Sequence, residues 1–105
     1  MGLMPENTAL GPIGDKIVFE NDQIRVWHVA LQPDGHQPWH RHDLPYLIVA
    51  LADGTVEIRF DDGTVRRGDD KVGLTRWREA GEVHELHNVG GTRFENLVIE
   101  VKQKG

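Results

Sequence analysis

The sequence predicts an all-β fold, a small sandwich or barrel. Turn-forming pairs punctuate the chain about every ten residues, from Asn21-Asp22 through Asp34-Gly35, Asp53-Gly54 and Asp62-Gly63 to Gly90-Gly91. Between them lie short runs rich in β-branched and aromatic residues, and no window of helix length places apolar residues at i, i+3 and i+4. No internal repeat or low-complexity segment interrupts this rhythm.

Residues 1–14 carry Pro5, Pro12 and three glycines without sustained periodicity, and read as an arm lying along a sheet edge. Ile17–Glu20 is a short strand, and Ile24–Leu31 a longer one whose two faces are both largely apolar, so it needs cover on both sides. After Pro33-Asp34-Gly35 the segment Gln37–His42 is extended, and Tyr46–Ala52 is again apolar on both faces. Asp53-Gly54 reads as a hairpin, followed by a one-sided strand in which Val56, Ile58 and Phe60 alternate with Thr55, Glu57 and Arg59. Asp62-Gly63 repeats the device, Thr64–Arg67 is a strand, Gly68-Asp69-Asp70 a turn, and Val72–Arg78 another strand. Val83–Asn88 and Arg93–Val101 complete the set, the last also apolar on both faces. Strands of that kind imply a second cover, which a homodimer supplies.

At 105 residues the chain fits one domain, residues 1–105, large enough to bury a core without staples. It has no cysteine, which removes disulfides, thiolate ligands and thiol nucleophiles together. The formal net charge of −5, with no basic cluster, argues against nucleic acid or an anionic membrane surface as partner. No apolar run approaches the ~18 residues a membrane helix needs, and residues 1–16 lack the pattern of a secretory signal. A cytoplasmic location is the expectation.

Two histidines one residue apart, His40 and His42, can face the same side of an extended strand, as a chelating metal site requires. A third, His84, lies in Gly81-Glu82-Val83-His84. Alternation turns His87 away from His84, and His28 reads as a hydrogen-bonded core or rim residue. His36 reads as solvated, and Asp43, directly after His42, faces the other way. Trp39 and Trp77 read as core or pocket wall, with Trp77 placed to line the cavity. Arg76 and Arg78 read as a solvated face, an anion clamp being the sharper alternative. Glu79 and Glu82 read as loop acids, with service as a base the alternative.

These residues resemble the cupin superfamily, whose small jelly-roll barrels carry two motifs. The first runs Gly, five residues, His-x-His, three or four residues, Glu, six residues, Gly. Gly35, His40, His42 and Gly54 match it, with four residues after Gly35, while the glutamate position falls on Tyr46 or Leu47. The second runs Gly, five residues, Pro-x-Gly, two residues, His, three residues, Asn. Gly73, Gly81, His84 and Asn88 match it, with Glu79 in place of proline. The resemblance covers roughly residues 24–101, taken as the barrel core, with 1–16 as the N-terminal arm.

It implies a double-stranded β-helix of six to eight strands with a divalent transition metal (Fe, Ni, Mn or Zn) held by His40, His42 and His84. Three neutral nitrogens leave positions open for water or a small molecule. Without the family's glutamate the metal's charge is uncompensated, which favours a small anionic organic ligand. Tyr46, if inward, is the candidate catalytic residue, as hydrogen-bond partner or proton donor; one residue of slip would substitute Leu47. Such a site fits a dioxygenase, an isomerase or a hydrolase, and the alternative is a non-catalytic binding or sensing module.

Overall fold

The computed structural model describes residues 3–102, and within them there are nine strands and no helix. They are β1 (Lys16–Glu20), β2 (Ile24–Leu31), β3 (His36–Arg41), β4 (Tyr46–Ala50), β5 (Gly54–Phe60), β6 (Val65–Asp70), β7 (Thr75–Arg78), β8 (Val83–Asn88) and β9 (Phe94–Val101). Two antiparallel sheets face each other, one in the order β1-β2-β9-β4-β7 and the other β3-β8-β5-β6. The all-β expectation is borne out. The strand count exceeds the six to eight that the resemblance implied.

The strand-and-turn reading fits most of the chain, with three local differences, the smallest being that Val72–Leu74 belongs to a turn and the strand read as Val72–Arg78 begins at Thr75. Asp53-Gly54 does not close a hairpin, because β4 and β5 belong to different sheets. The chain crosses between sheets there. The Leu51 N–H donates to the Glu95 carbonyl (2.9 Å), the Asp53 carboxylate accepts from the Val72 N–H (2.8 Å), and Gly54 lies under the Phe94 ring. Gly68-Asp69-Asp70 is strand rather than turn, paired in register with Val56, Thr55 and Gly54. By contrast Asp62-Gly63 is the hairpin turn of β5 and β6, with Gly63 at φ 88° and the Asp62 carboxylate accepting from the Thr64 N–H (2.9 Å).

Inward faces of the larger sheet are set by register. Val29, Tyr46 and Val98 pack with Leu31 and Ile13 into one buried cluster. Ile13 belongs to the N-terminal arm, which runs along β3: the Gly11 N–H donates to the Trp39 carbonyl (2.8 Å), and Gln37 Nε2 to the Pro12 carbonyl (3.1 Å). The outward face of the same sheet is also apolar. Leu47, Val49, Leu97, Ile99 and Val101 are half-buried there, and Phe19 and Trp77 lie exposed beside them.

Asn88, the last residue of the second motif, has a structural task. Its amide donates to the carbonyls of Leu31 (3.0 Å) and Thr92 (2.8 Å) and accepts from the Gly90 N–H (3.0 Å), tying β8 to β2 and to the following turn.

Gly54 offers a test of how tightly the sheets close. A Cβ there would stand 2.8 Å from Phe94 Cδ1, and Phe94 is fully buried. Gly54→Ala is therefore expected to destabilise the protein by about 1–3 kcal/mol through overpacking, read as a lower denaturant midpoint at constant slope. An unchanged midpoint would mean that the Phe94 ring yields freely.

Candidate metal centre

The site lies between the sheets and begins with an irregularity in β3. Gln37 pairs with Leu86 and His40 with His84, so three steps along β3 match two along β8. This bulge re-phases the strand: Gln37 faces inward, Pro38 and Trp39 absorb the extra residue, and His40 and His42 then face inward in turn. Proline is tolerated because β3 is an edge strand. At the end of β3 the chain is clipped to the start of β8. The His42 N–H donates to the Glu82 carbonyl (2.9 Å) and the Gly81 N–H to the His42 carbonyl (2.7 Å). Gly81 adopts φ 112°, a conformation that favours glycine.

His40, His42 and His84 are 3%, 2% and 8% exposed, and their candidate ligand atoms all lie within 4.8 Å of one another. Ring centroids are 4.9 Å apart for His40 and His42, 4.7 Å for His40 and His84, and 4.8 Å for His42 and His84, with each pair steeply inclined. The imidazoles thus converge edge-on, as ligands do, and are not stacked. His42 Nε2 and His84 Nε2 are 3.0 Å apart. Two nitrogens each bound at ~2.0–2.1 Å to one ion stand roughly 2.8–3.4 Å apart for right-angled to tetrahedral geometry, so this edge fits a shared metal. His40 Nδ1 donates to the Pro38 carbonyl (2.7 Å), which fixes the tautomer and frees Nε2 as a ligand. His42 Nδ1 and His84 Nδ1 are buried without a hydrogen-bond partner. The donor set and its geometry fit a divalent first-row ion.

Tyr46, not Leu47, faces this cluster. Its ring lies 3.8 Å from that of His42 at an interplanar angle of 15°, while Leu47 points to the outer face opposite Trp77. The Tyr46 hydroxyl donates to Glu82 Oε1 (2.8 Å), and the same carboxylate forms an ion pair with the Arg78 guanidinium. Glu82 Oε1 also stands 3.8 Å from His84 Nδ1. Glu82 is therefore a wall of the site rather than a loop acid. Alternation alone could have placed it there, since it precedes His84 by two residues.

Other residues fall as follows. Arg76 and Arg78 point into the cavity, because they pair in register with the inward Ile48 and Tyr46, so the solvated-face reading fails. Trp77 is exposed and donates to Glu79 Oε2 (2.6 Å), so it does not line the cavity. His28 is hydrogen-bonded to Glu95 (2.6 Å) on the outer face of the larger sheet. His36 and His87 stack on each other across the outer face of the smaller sheet, with centroids 5.0 Å apart. Asp43 is exposed beside Arg41.

The cavity has a volume of about 50 Å³, and its lining includes the three histidines, Tyr46, Glu82, Arg66, Asp70, Arg76 and Arg78. Burial pushes His42 down to about 2, helped by repulsion from His84, His40 and Arg78. Burial likewise pushes His84 down to about 3, with His40 the next cause. His40 is lowered by burial, partly opposed by its bond to Pro38. Burial and the Glu82 carboxylate raise Tyr46 far above its ordinary value, so it remains a phenol. For Glu82 burial acts upward, but the bonds from Arg78 and Tyr46 outweigh it and keep the carboxylate ionised.

No model of a protein family matches the chain, and no curated protein matches it. Among solved structures it is similar to a cupin domain protein of Bordetella pertussis, with 25% identity and a TM-score of 0.78 over 84% of this chain and 91% of that one. It is similar to an uncharacterized protein with a double-stranded β-helix domain from Klebsiella pneumoniae, with 21% identity and a TM-score of 0.67 over 97% and 91% of the two chains. A third neighbour is an RmlC-like cupin family protein of Methanocaldococcus jannaschii, 13% identical, with a TM-score of 0.65 over 87% and 93%. The class these observations define is a double-stranded β-helix with imidazoles at its centre. Its fold is that of small cupin domain proteins.

The histidines also set an acid limit on the fold. Each is held neutral below its ordinary value of 6.5 and takes up a proton on unfolding. The unfolded chain therefore binds more protons, and stability is full above about pH 6.5 and falls as pH drops toward the folded-state values. In chelator-treated protein the denaturant midpoint is expected to fall steadily between about pH 6.5 and 5. A flat profile over that interval contradicts the buried, neutral state of the cluster.

Proposed function

We propose that His40, His42 and His84 hold a divalent first-row metal, Fe, Ni, Mn or Zn, and that a small anionic organic molecule docks beside it. The observation that carries the reading is the convergence of the three imidazoles, with the His42 and His84 Nε2 atoms 3.0 Å apart. When bound, such an ion polarises a ligand oxygen or acidifies a bound water, and a redox-active one can also engage dioxygen. Glu82 does not offset the ion's charge, because Arg78 already neutralises it. An anionic ligand supplies that offset.

Tyr46 is the proposed proton-handling residue. Its ring on His42 fixes that imidazole, and its hydroxyl, bonded to Glu82, links the cavity to an ionised carboxylate. The reaction classes that fit are those of a dioxygenase, an isomerase or a hydrolase. A binding or sensing module without turnover is the second reading. In its favour, Arg78 holds the Glu82 carboxylate ionised and so makes it a poor base, and Asp70 stands 3.5 Å from Arg76 with its buried Oδ1 lacking a hydrogen bond. Oxygen uptake or product formation with small acids separates the two.

Purified protein is expected to retain close to one equivalent of metal, and His40→Ala with His42→Ala to abolish it while the circular dichroism stays β-type. Unchanged metal content in the double variant overturns the ligand assignment.

A homodimer is also proposed, formed on the outer face of the larger sheet. Leu47, Val49, Leu97 and Ile99 make a continuous apolar surface there, and an isologous pairing would bury it symmetrically. Sedimentation at micromolar concentration should give a dimer, and Ile99→Asp a monomer with its metal retained. A monomeric parent protein contradicts the proposal.

A further inference from the structure

The cavity is bordered by residues of β6 and β7, each an edge strand of its sheet, and Arg66 on β6 lines it while remaining exposed to solvent. Arginines line this border: Arg66 pairs in register with the inward Ile58 on β5, and Arg76 and Arg78 with the inward Ile48 and Tyr46 on β4. Inward charges on edge strands are a general protection against edge-to-edge pairing. That accounts for charge on these strands, but not for its imbalance.

Three guanidiniums face two carboxylates. Arg78 is matched by Glu82 and Arg76 by the buried Asp70, whereas Arg66 has no carboxylate partner among the described residues. The Arg66 guanidinium carbon lies 5.2 Å from the Phe60 ring centroid, and Phe60 in turn packs on His84 with centroids 5.4 Å apart. One unneutralised cation, open to solvent, therefore lines the cavity that holds the histidine cluster, in a chain of net charge −5. The surrounding charge disfavours anions, so the local field must come from this residue and from whatever the histidines hold.

We propose that Arg66 is the anchor for a carboxylate, so that the ligand is a small organic acid held by Arg66 at one end and directed toward His40, His42 and His84 at the other. The planar guanidinium matches a carboxylate with two parallel hydrogen bonds. A volume of about 50 Å³ holds roughly three to five water-sized groups, which limits the inner end of the ligand to a few non-hydrogen atoms. The proposal rests on the metal-centre reading for the inner end only. The anchoring at Arg66 is separately testable.

The test compares Arg66→Gln with Arg67→Gln. Arg67 is the next residue on β6 and faces outward opposite Glu57, so the pair removes the same charge from opposite faces. The full chain is titrated with pyruvate, lactate and malonate, with the matching amides, and with inorganic phosphate, at constant ionic strength. Thermal shift and calorimetry supply the readout, and metal content is measured for every sample. At least one acid should bind the parent protein and Arg67→Gln alike, bind Arg66→Gln at least about tenfold more weakly, and bind Arg66→Lys with intermediate affinity. The amides should fail to bind. Equal binding to the two glutamine variants, binding of amides as tight as that of acids, binding of phosphate alone, or no binding by any acid overturns the proposal. Parent protein lacking metal would sink the metal-centre reading instead, and the same comparison in chelator-treated protein would still decide Arg66.

Discussion

The bulge in β3 is the constraint on which the site depends. A regular strand would carry Gln37 and Trp39 on its inner face and turn His40 outward. The additional residue at Pro38-Trp39 reverses that phase, leaving His40 opposite His84 and His42 beyond it. The clip between His42, Gly81 and Glu82 then holds the end of β3 against the start of β8. Both bulge and clip are backbone features. The imidazoles therefore converge through the path of the main chain.

What surrounds the histidines follows from burying them. Three neutral rings with depressed proton affinity form a set of buried nitrogen lone pairs. Four of the five nearby charges form two ion pairs, Arg78 with Glu82 and Arg76 with Asp70, and the pull of Glu82 on His84 only partly opposes the burial that keeps that ring neutral. Tyr46 joins the two systems, with its ring on His42 and its hydroxyl on Glu82. No glutamate stands on the first motif, and the carboxylate two residues before His84, Glu82, is tied to Arg78.

Much of this was legible in the sequence. Period-two alternation and the turn pairs located the strands, and two spaced motifs selected the three histidines. Two of the errors share a physical cause, namely that sequence-local signals cannot report how a strand pairs. Asp53-Gly54 has the composition of a hairpin, yet its flanking strands diverge into different sheets because Gly54 must slide under Phe94. Arg76 and Arg78 read as solvated because arginine usually is. Their inward direction comes from pairing with Ile48 and Tyr46, which only the register reveals. Glu82 was within reach of simple alternation from His84 and was missed because a glycine-flanked acid reads as loop. The bulge itself carries only the faint mark of a proline inside an extended segment.

The central claim is that the three imidazoles form one metal site. X-ray absorption at the edge of whichever metal accompanies the purified protein tests this most directly. The account predicts about three nitrogen scatterers at ~2.0–2.1 Å with the outer-shell pattern of imidazole rings, lost when His42 is replaced by alanine. A first shell of oxygen alone, with no imidazole pattern, would contradict it.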